Sequence, residues 1–554
     1  MTLRERLKAI IKGDVSDGAA TVATYSRDTS IFEKAPRVIV FPKTPDDVAA
    51  VVKFVHEAKE HGEDLSLAAR SAGTDMTGGP LTDSIALVFT TYMNGIGPIG
   101  VGEATAEPGA YYRDFEKLTL RATGALVPSY PASRELCAIG GMVSNNSGGE
   151  LTLRYGKTNK YVRSLEVVLS DGTKATLAPI SMSELAVKER EHSLEGRIYA
   201  EVHALIEANR SEIETARPRV TKNSAGYALW DVMDEAKDTF DLTQLICGSQ
   251  GTLAIVTKAT LGLVKTKAHR AMLVVFLSDI EILPEIVKRV LAYRPESFES
   301  YDDQTFKLAV RFMPQIISQL GFSKMIALGL AFIPEMWMVA TGGVPKLVLM
   351  AEFAEDSHDE ALEKAENAGG ALHGLAVSTK IAKSEAASKK YWTIRRESFS
   401  LLRKNLRGLY ASPFIDDLVV PPASYPEFIP ALNAVLDQHH LLYTIAGHIG
   451  DGNFHIIPLM DLSKESDRKE ILELQPKVYE LVKRFDGSIT GEHNDGLIRT
   501  PYLPLMFGEK IVELFAEVKR IFDPLGILNP GKKVPSPHEG GTVEDIARFM
   551  IKRS

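Results

Sequence analysis

Cysteine is nearly absent: Cys137 and Cys247 are the two that occur in 554 residues. So few exclude a disulfide scaffold and a cysteine-ligated iron–sulfur cluster in this chain, and they fit a reducing, cytoplasmic compartment. Positive charge is in deficit as well. Lys and Arg number 64 against 72 Asp and Glu, a formal net charge of −8. The basic field of a nucleic-acid binder is therefore missing, and no such partner is expected. Long apolar runs are also missing. The most apolar stretch, residues 325–353, is broken by Pro334, Glu335, Pro345 and Lys346. It falls short of the roughly 18 uninterrupted apolar residues that a spanning helix needs. It reads as buried core, or as a surface patch meeting the inner membrane or another subunit, including a second copy. No apolar run of signal-peptide length follows the charged segment 1–8.

What is there is an ordinary globular composition, 45% hydrophobic and 25% charged, in a chain too long for one core. Strand-like runs alternate with helical patterns, which predicts an α+β architecture. Residues 38–41, 65–69 and 85–90 read as strands. Residues 44–61 read as a helix, with Thr44 as N-cap, Pro45 at its first position and Gly62 just past its end. Residues 165–169 and 174–177 form a hairpin around Ser170-Asp171-Gly172. Near residue 270 the texture changes: 271–277 opens a second domain, and 347–353 and 413–420 supply further strands. Helices at 476–485 and 510–522 come near the end, and a loop with a short helix follows. The expected divisions are a helical segment 1–36, a first domain 37–268, and a second domain 269–475 with an inserted apolar helical region 305–345. C-terminal helices 476–535 and a tail 536–554 complete the chain.

Three glycine-rich segments in the first half are unlike simple turns. The first holds Ser71, Ala72, Gly73, Thr74, Asp75, Thr77 and Gly78, directly after a strand. Small residues let a backbone approach a diphosphate closely, and successive N–H groups form an anion-binding nest; a tight strand connection has a similar composition. The spacing is neither a Walker loop nor a Rossmann fingerprint. The second runs from Pro131 and Ser133 through Gly140, Gly141, Ser144, Asn145, Ser147 and Gly148 to Tyr155. It suits a ribbon of backbone donors along a large polar ligand. The third holds Gly248, Gln250, Gly251, Thr252 and Ile255.

In the second half, His448 and His455 flank Gly450-Asp451-Gly452, and Gly491-Glu492-His493-Asn494 follows. Seven apart on a flat strand, the histidines would face opposite ways; a turn at 450–452 can bring them together. Two imidazoles and a carboxylate suit a divalent ion with an open position, or are polar turn residues capping strands.

Together, the three glycine-rich segments resemble the FAD-linked oxidase family with the vanillyl-alcohol oxidase and p-cresol methylhydroxylase fold. Its D-lactate and D-2-hydroxyglutarate dehydrogenase branch is the most similar. The resemblance implies a two-part FAD-binding domain of the PCMH type and an α/β substrate (cap) domain with an antiparallel sheet. It places the residues named in the three segments, and Asn529 of Leu528-Asn529-Pro530-Gly531-Lys532, at the FAD. No histidine lies between Arg70 and Gly79, so non-covalent FAD is expected. Gln250 stands where the family has glutamate, and Asn494 where it has glycine. The resemblance makes His448, His455 and Glu492 the ligands of a divalent metal, zinc first. His493 becomes the base, and Arg395 of Trp392-Thr393-Ile394-Arg395 the grip on a substrate carboxylate, with Arg396 the fallback. Ile415 stands where some D-2-hydroxyglutarate dehydrogenases have lysine, so a dicarboxylate would be held by other groups. Residues 495–499 resemble forms with a C-terminal iron–sulfur domain.

The implied reaction is oxidation of a small 2-hydroxy acid by hydride transfer to the flavin. The sequence does not specify the next electron acceptor, for which a separate iron–sulfur subunit, a quinone or another carrier would serve. Three other readings are an alkyl-dihydroxyacetone-phosphate synthase type enzyme, a flavin subunit that scaffolds a complex, and a sugar oxidase of the same superfamily. The first carries a histidine cluster that His439-His440 does not match; retention of His448, His455, Glu492, His493 and Arg395 speaks against the second, and the third leaves the metal motif without a purpose.

Overall fold

The computed structural model describes residues 1–303, 345–393, 395, 409–439, 441–535 and 540–552. Its first sheet is ordered Asp14–Ser16, Val38–Phe41, Ile85–Val88, Leu67–Arg70. Val38–Phe41 and Leu67–Arg70 both run parallel to Ile85–Val88. The connecting helix Pro45–Glu60 starts where the cap chemistry predicts: Thr44 accepts from the Asp47 N–H, Pro45 fills the first turn, and Asp46 and Asp47 put negative charge there. Val48, Val51, Val52 and Val55 recur at helical spacing and bury against the sheet. A second, antiparallel sheet follows the order Ile96–Ile99, Glu103–Ala106, Ile255–Gly262, Val162–Val168, Lys174–Leu177.

The second half is built on a larger antiparallel sheet. Its order among the described residues is Val377–Ala382, His269–Leu277, Leu347–Glu355, Ser297–Asp302, Tyr443–His448, Asn453–Met460, Tyr410–Ala411. After the helix Glu509–Phe522 the chain returns to the first sheet, where Leu528 bridges Leu67 and the Asn529 N–H donates to the Leu67 carbonyl. One apolar cluster runs through both halves.

Several expectations shift. Segment 1–36 is not purely helical, because Asp14–Ser16 pairs with Val38–Phe41. The strand expected at 413–420 shrinks to Leu418–Val419; the chain turns at Asp417, whose φ is 66°, so that two buried carboxylates face the site. The helix expected from Pro476 begins at Glu465 and carries Pro476 inside it. It therefore runs through the division placed at 475/476. The middle glycine segment is not all ribbon, since Ile139–Asn145 is a short helix. The expected apolar insertion 305–345 lies outside the described residues except for Pro345. Among the described residues no helix is long and apolar enough to cross a membrane.

Candidate active site

A cavity of about 510 Å³ lies between the two halves, within the range of small-molecule and cofactor sites. Ser71, Ala72, Gly73, Thr74 and Asp75 form one wall, and Pro131, Ser133, Gly140, Gly141, Ser144, Asn145, Ser147 and Gly148 another; Gly251 joins them. Arg395, His448, His455, Glu492 and His493 line it as well, with Gly148 close to the Glu492 carboxylate. The three glycine-rich segments and the histidine–glutamate motif, hundreds of residues apart, thus share one chamber. Gly140 shows why its position demands glycine. A Cβ there would lie 2.5 Å from Pro108 Cβ and 2.7 Å from Ser71 Oγ, so the short helix packs directly on the first loop.

Seven expected cofactor residues lie outside the lining: Thr77, Gly78, Tyr155, Gly248, Thr252, Ile255 and Asn529. The Thr77 N–H donates to Asp75 Oδ1 (2.7 Å) and the Gly78 N–H to Asp28 Oδ2 (3.1 Å), so both amides are taken by protein carboxylates. Thr252 Oγ1 bonds the Tyr227 hydroxyl at 2.7 Å, and Ile255 is wholly core. The Tyr155 hydroxyl donates to Glu296 (2.9 Å). Asn529 works from behind: its Nδ2 donates to the Gly79 and Gln250 carbonyls at 2.9 and 2.7 Å.

Both departures from the family pattern have partners. Gln250 (φ 53°) donates to Asp75 Oδ2 at 3.4 Å and Thr77 Oγ1 at 3.3 Å, and accepts from the Gly496 N–H at 2.8 Å. Asn494 sits at φ 75°, a conformation asparagine tolerates better than most residues. Its side chain is absent from the cavity wall and donates to the Gly248 and Asn145 carbonyls.

The hairpin register brings the histidines together. Ala446 pairs with His455 and His448 with Asn453; residues 446 and 448 share a face, so His455, opposite 446, shares it too. The turn closes at Gly452 (φ 76°), where a Cβ would meet the Val420 carbonyl oxygen at 1.8 Å. Glu492 Oε1 then lies 3.4 Å from both His448 Nε2 and His455 Nε2, and 3.8 Å from His493 Nε2. Donor atoms bonded at about 2.0–2.1 Å around a tetrahedral zinc are roughly 3.3–3.4 Å apart, which matches the spacing of Glu492 Oε1 from each imidazole. The tightest set of potential ligand atoms among the described residues is Asp417, His455, Glu492 and His493, with His448 just outside it. The other nitrogens of His448 and His455 are held as ligand imidazoles usually are: His448 Nδ1 is 2.6 Å from Glu299 Oε1, and His455 Nδ1 is 2.9 Å from Asp416 Oδ1. His493 Nδ1 lies 2.8 Å from Asp416 Oδ2. Asp417 belongs to the tightest set, but its oxygens already accept from Asn453, Thr490 and the backbone N–H groups of Glu492 and His493. That makes it a scaffold for the loop rather than a ligand.

Charge is concentrated here. Lys222 is wholly buried, 3.3 Å from Glu492 Oε2 and 3.4 Å from Asp451 Oδ2. Against the penalty of burial, Lys222 and the imidazoles of His448 and His455 hold the Glu492 carboxyl well below the usual range. Burial lowers the affinity of His455 for a proton, but Asp416 and Glu492 override it and raise the group to about 10; Asp417 and Asp416 likewise raise His493. A cation bound at the Nε2 atoms would displace these protons. Glu299 also pairs with Arg395, joining the guanidinium to the His448 support.

Glu299, Asp416, Asp417 and Lys222 were not anticipated from the sequence. The two aspartates had a signal, acids set inside the apolar run 414–420. Glu299, in the mixed segment 297–302, and Lys222 had none.

Comparison with known proteins follows this geometry. Among solved structures, 4-ethylphenol oxidase from Gulosibacter chungangensis superposes with a TM-score of 0.69 at 16% identity, covering 97% of both chains. p-Cresol methylhydroxylase gives 0.66 at 14%, covering 96% of both. The fold is therefore that of the p-cresol methylhydroxylase class, α+β with a PCMH-type FAD-binding domain.

The FAD binding domain family matches residues 36–178, and the family of FAD linked oxidases, C-terminal domain, matches 266–533; the chain belongs to the FAD-linked oxidases. It is 28% identical over 526 residues to the D-2-hydroxyglutarate dehydrogenase of Pseudomonas putida, covering 94% of this chain and 50% of that protein. It is 25% identical to the glycolate oxidase subunit GlcD of Bacillus subtilis (93% of each). Identity is also 25% to the D-lactate dehydrogenase of Archaeoglobus fulgidus (90% of this chain, 91% of that one). The chain spans about half the length of the D-2-hydroxyglutarate dehydrogenases of Pseudomonas putida and Escherichia coli.

Proposed function

We propose that this flavoprotein oxidises a small D-2-hydroxy acid, of the D-lactate, glycolate and D-2-hydroxyglutarate class, to the 2-oxo acid. The carrying observation is that Arg395, His493 and the His448–His455–Glu492 cluster line the same chamber as the flavin segments. Bound FAD, held without a covalent link, supplies the acceptor for the hydride leaving C2. A divalent cation on His448, His455 and Glu492, zinc first, supplies Lewis-acid polarisation of the 2-hydroxyl and lowers its pKa.

Arg395, oriented by Glu299, holds the substrate carboxylate by its planar fork. His493 accepts the hydroxyl proton at Nε2, while Asp416 beside Nδ1 fixes the ring and stabilises the imidazolium. That role needs a neutral His493, and the charge of a bound cation, opposing the two aspartates, favours one. The apolar Met142, Ala254 and Val256 on the chamber wall keep water away and strengthen these charges. Hydride and proton together leave the 2-oxo acid. Electrons pass on to a separate carrier, an iron–sulfur subunit or a quinone, as the subunit status of the glycolate oxidase relative suggests.

The test is anaerobic stopped-flow reduction of the flavin in His493→Ala. Removing a positioned base slows the step by about 10²–10⁴-fold. An unchanged rate with full FAD content overturns the assignment of the base.

A further inference from the structure

We infer that Glu352 is a positioning residue for Arg395, tying the helix that presents the guanidinium to the FAD-binding domain through Trp392 on one side and Arg270, Glu296 and Tyr155 on the other. The inference rests on reading Arg395 as the group that meets the substrate carboxylate. It gives Tyr155, which does not line the cavity, a place in the site.

Residues 385–393 are helical, and so is Arg395. Tyr391 and Trp392 seat that helix on one face of the large sheet, against Met272, Val274, Val348 and Met350. Along Leu347–Glu355, side chains alternate between faces, so Val348, Met350 and Glu352 point the same way. The pattern calls for an apolar residue at 352, and a glutamate stands there, 7% exposed. A carboxylate in such a place is costly unless its partners are fixed.

Its partners form a chain between the domains. The Trp392 indole N–H donates to Glu352 Oε1 at 3.2 Å. Glu352 Oε2 lies 3.5 Å from Arg270 Nε, which donates to Glu296 Oε2 at 3.2 Å. Glu296, wholly buried, accepts from the Tyr155 hydroxyl at 2.9 Å. A second tie runs alongside, from Arg154 Nη1 to the Ala354 carbonyl at 2.8 Å. Trp392 precedes Arg395 by three residues, nearly one helical turn, so a shift at the indole carries to the guanidinium.

The charged groups facing Glu352 come from every side. Arg270 lies on the neighbouring strand His269–Leu277, Glu296 precedes the strand Ser297–Asp302, and Glu150 and Tyr155 belong to the FAD-binding domain. Burial, Glu296 and Glu150 push the carboxyl up, against Arg270 and Trp392, to about 7. The link is therefore at full strength only above neutral pH, where Glu352 is ionised and pairs with Arg270.

The experiment is anaerobic flavin reduction as a function of 2-hydroxy-acid concentration, in wild type, Glu352→Gln, Trp392→Phe and Tyr155→Phe. The expected result is a substrate half-saturation raised by about fivefold or more, a limiting reduction rate within about twofold of wild type, and unchanged FAD content. In wild type the half-saturation should rise as pH falls through about 7; in Glu352→Gln it should stay high and flat. Half-saturation unchanged in all three variants overturns the inference, and so does loss of FAD from Tyr155→Phe, which would return that residue to the cofactor. Trp392 emission provides a readout free of turnover. The wild-type minus Trp392→Phe difference should titrate near pH 7 and be flat in Glu352→Gln; a titration that persists there overturns the link. If no 2-hydroxy acid reduces the wild-type flavin, the functional reading fails, and the emission titration alone decides whether the link exists.

Discussion

Asp416→Asn is the substitution most sharply constrained by the geometry. The carboxylate is wholly buried, with Oδ1 2.9 Å from His455 Nδ1 and Oδ2 2.8 Å from His493 Nδ1. Oδ1 accepts from His455 Nδ1–H, while Oδ2 meets His493 Nδ1 as an ion-pair partner without hydrogen-bond alignment. In either ring a proton on Nδ1 leaves Nε2 as a lone pair. Asparagine keeps the volume but replaces one acceptor with an NH₂ donor. Whichever imidazole faces that donor must switch tautomer, which puts its proton on Nε2, where a lone pair is needed. If that ring is His455, a ligand is lost; if it is His493, the base is lost. Removing the support of a ligand histidine typically weakens metal affinity by about 10–100-fold, which corresponds to about 1.4–2.8 kcal/mol. The assay is chelator competition on the FAD-loaded protein with elemental analysis of zinc, alongside the rate of flavin reduction. Zinc affinity within about twofold of wild type, together with an unchanged reduction rate, would refute the reasoning for both imidazoles.

Other predictions follow from the same contacts. Gln250→Glu replaces the donor to Asp75 and Thr77 with a second carboxylate, and should raise the FAD dissociation constant by about tenfold, read from recovery of flavin fluorescence; unchanged affinity would contradict the bridging role. Burial pushes the Cys137 thiol up to about 12 and raises Cys247 as well, so both should resist maleimide in the folded protein and react on unfolding; prompt labelling of either would contradict their burial. Glu352 holds its proton more tightly folded than unfolded, so between about pH 4.5 and 7 the folded state binds more protons and stability falls as pH rises. Thermal melts across that window should show a shallower decline in Glu352→Gln than in wild type; parallel curves would contradict the raised pKa.

Sequence legibility followed local physics. Thr44, Pro45 and Gly62 mark a helix whose bounds need no tertiary information, and the hairpin at Ser170-Asp171-Gly172 appears as read. Pro476 misleads because it looks like a helix start, while packing of Ile471, Leu474 and Val478 carries the helix through it. In the site, residues bearing chemistry at motif spacing reach the chamber: His448, His455, Glu492, His493 and Arg395. Residues that support them from other elements could not be read, because nothing in the chain records that Glu299 would bind both His448 and Arg395, or that Lys222 would lie behind Glu492. Thr77 and Gly78 lie outside the lining for a similar reason: Asp28, fifty residues before Gly78, and Asp75 take their N–H groups.

The central claim is that one chamber joins FAD to the oxidation of a D-2-hydroxy acid. Its most direct test is the anaerobic visible spectrum of the purified protein, before and after D-lactate, glycolate, D-2-hydroxyglutarate and the L forms. The account predicts an oxidised-flavin spectrum that bleaches with glycolate or one of the D acids and with neither L form. Flavin absorbance that none of them bleaches, with zinc bound, would contradict it.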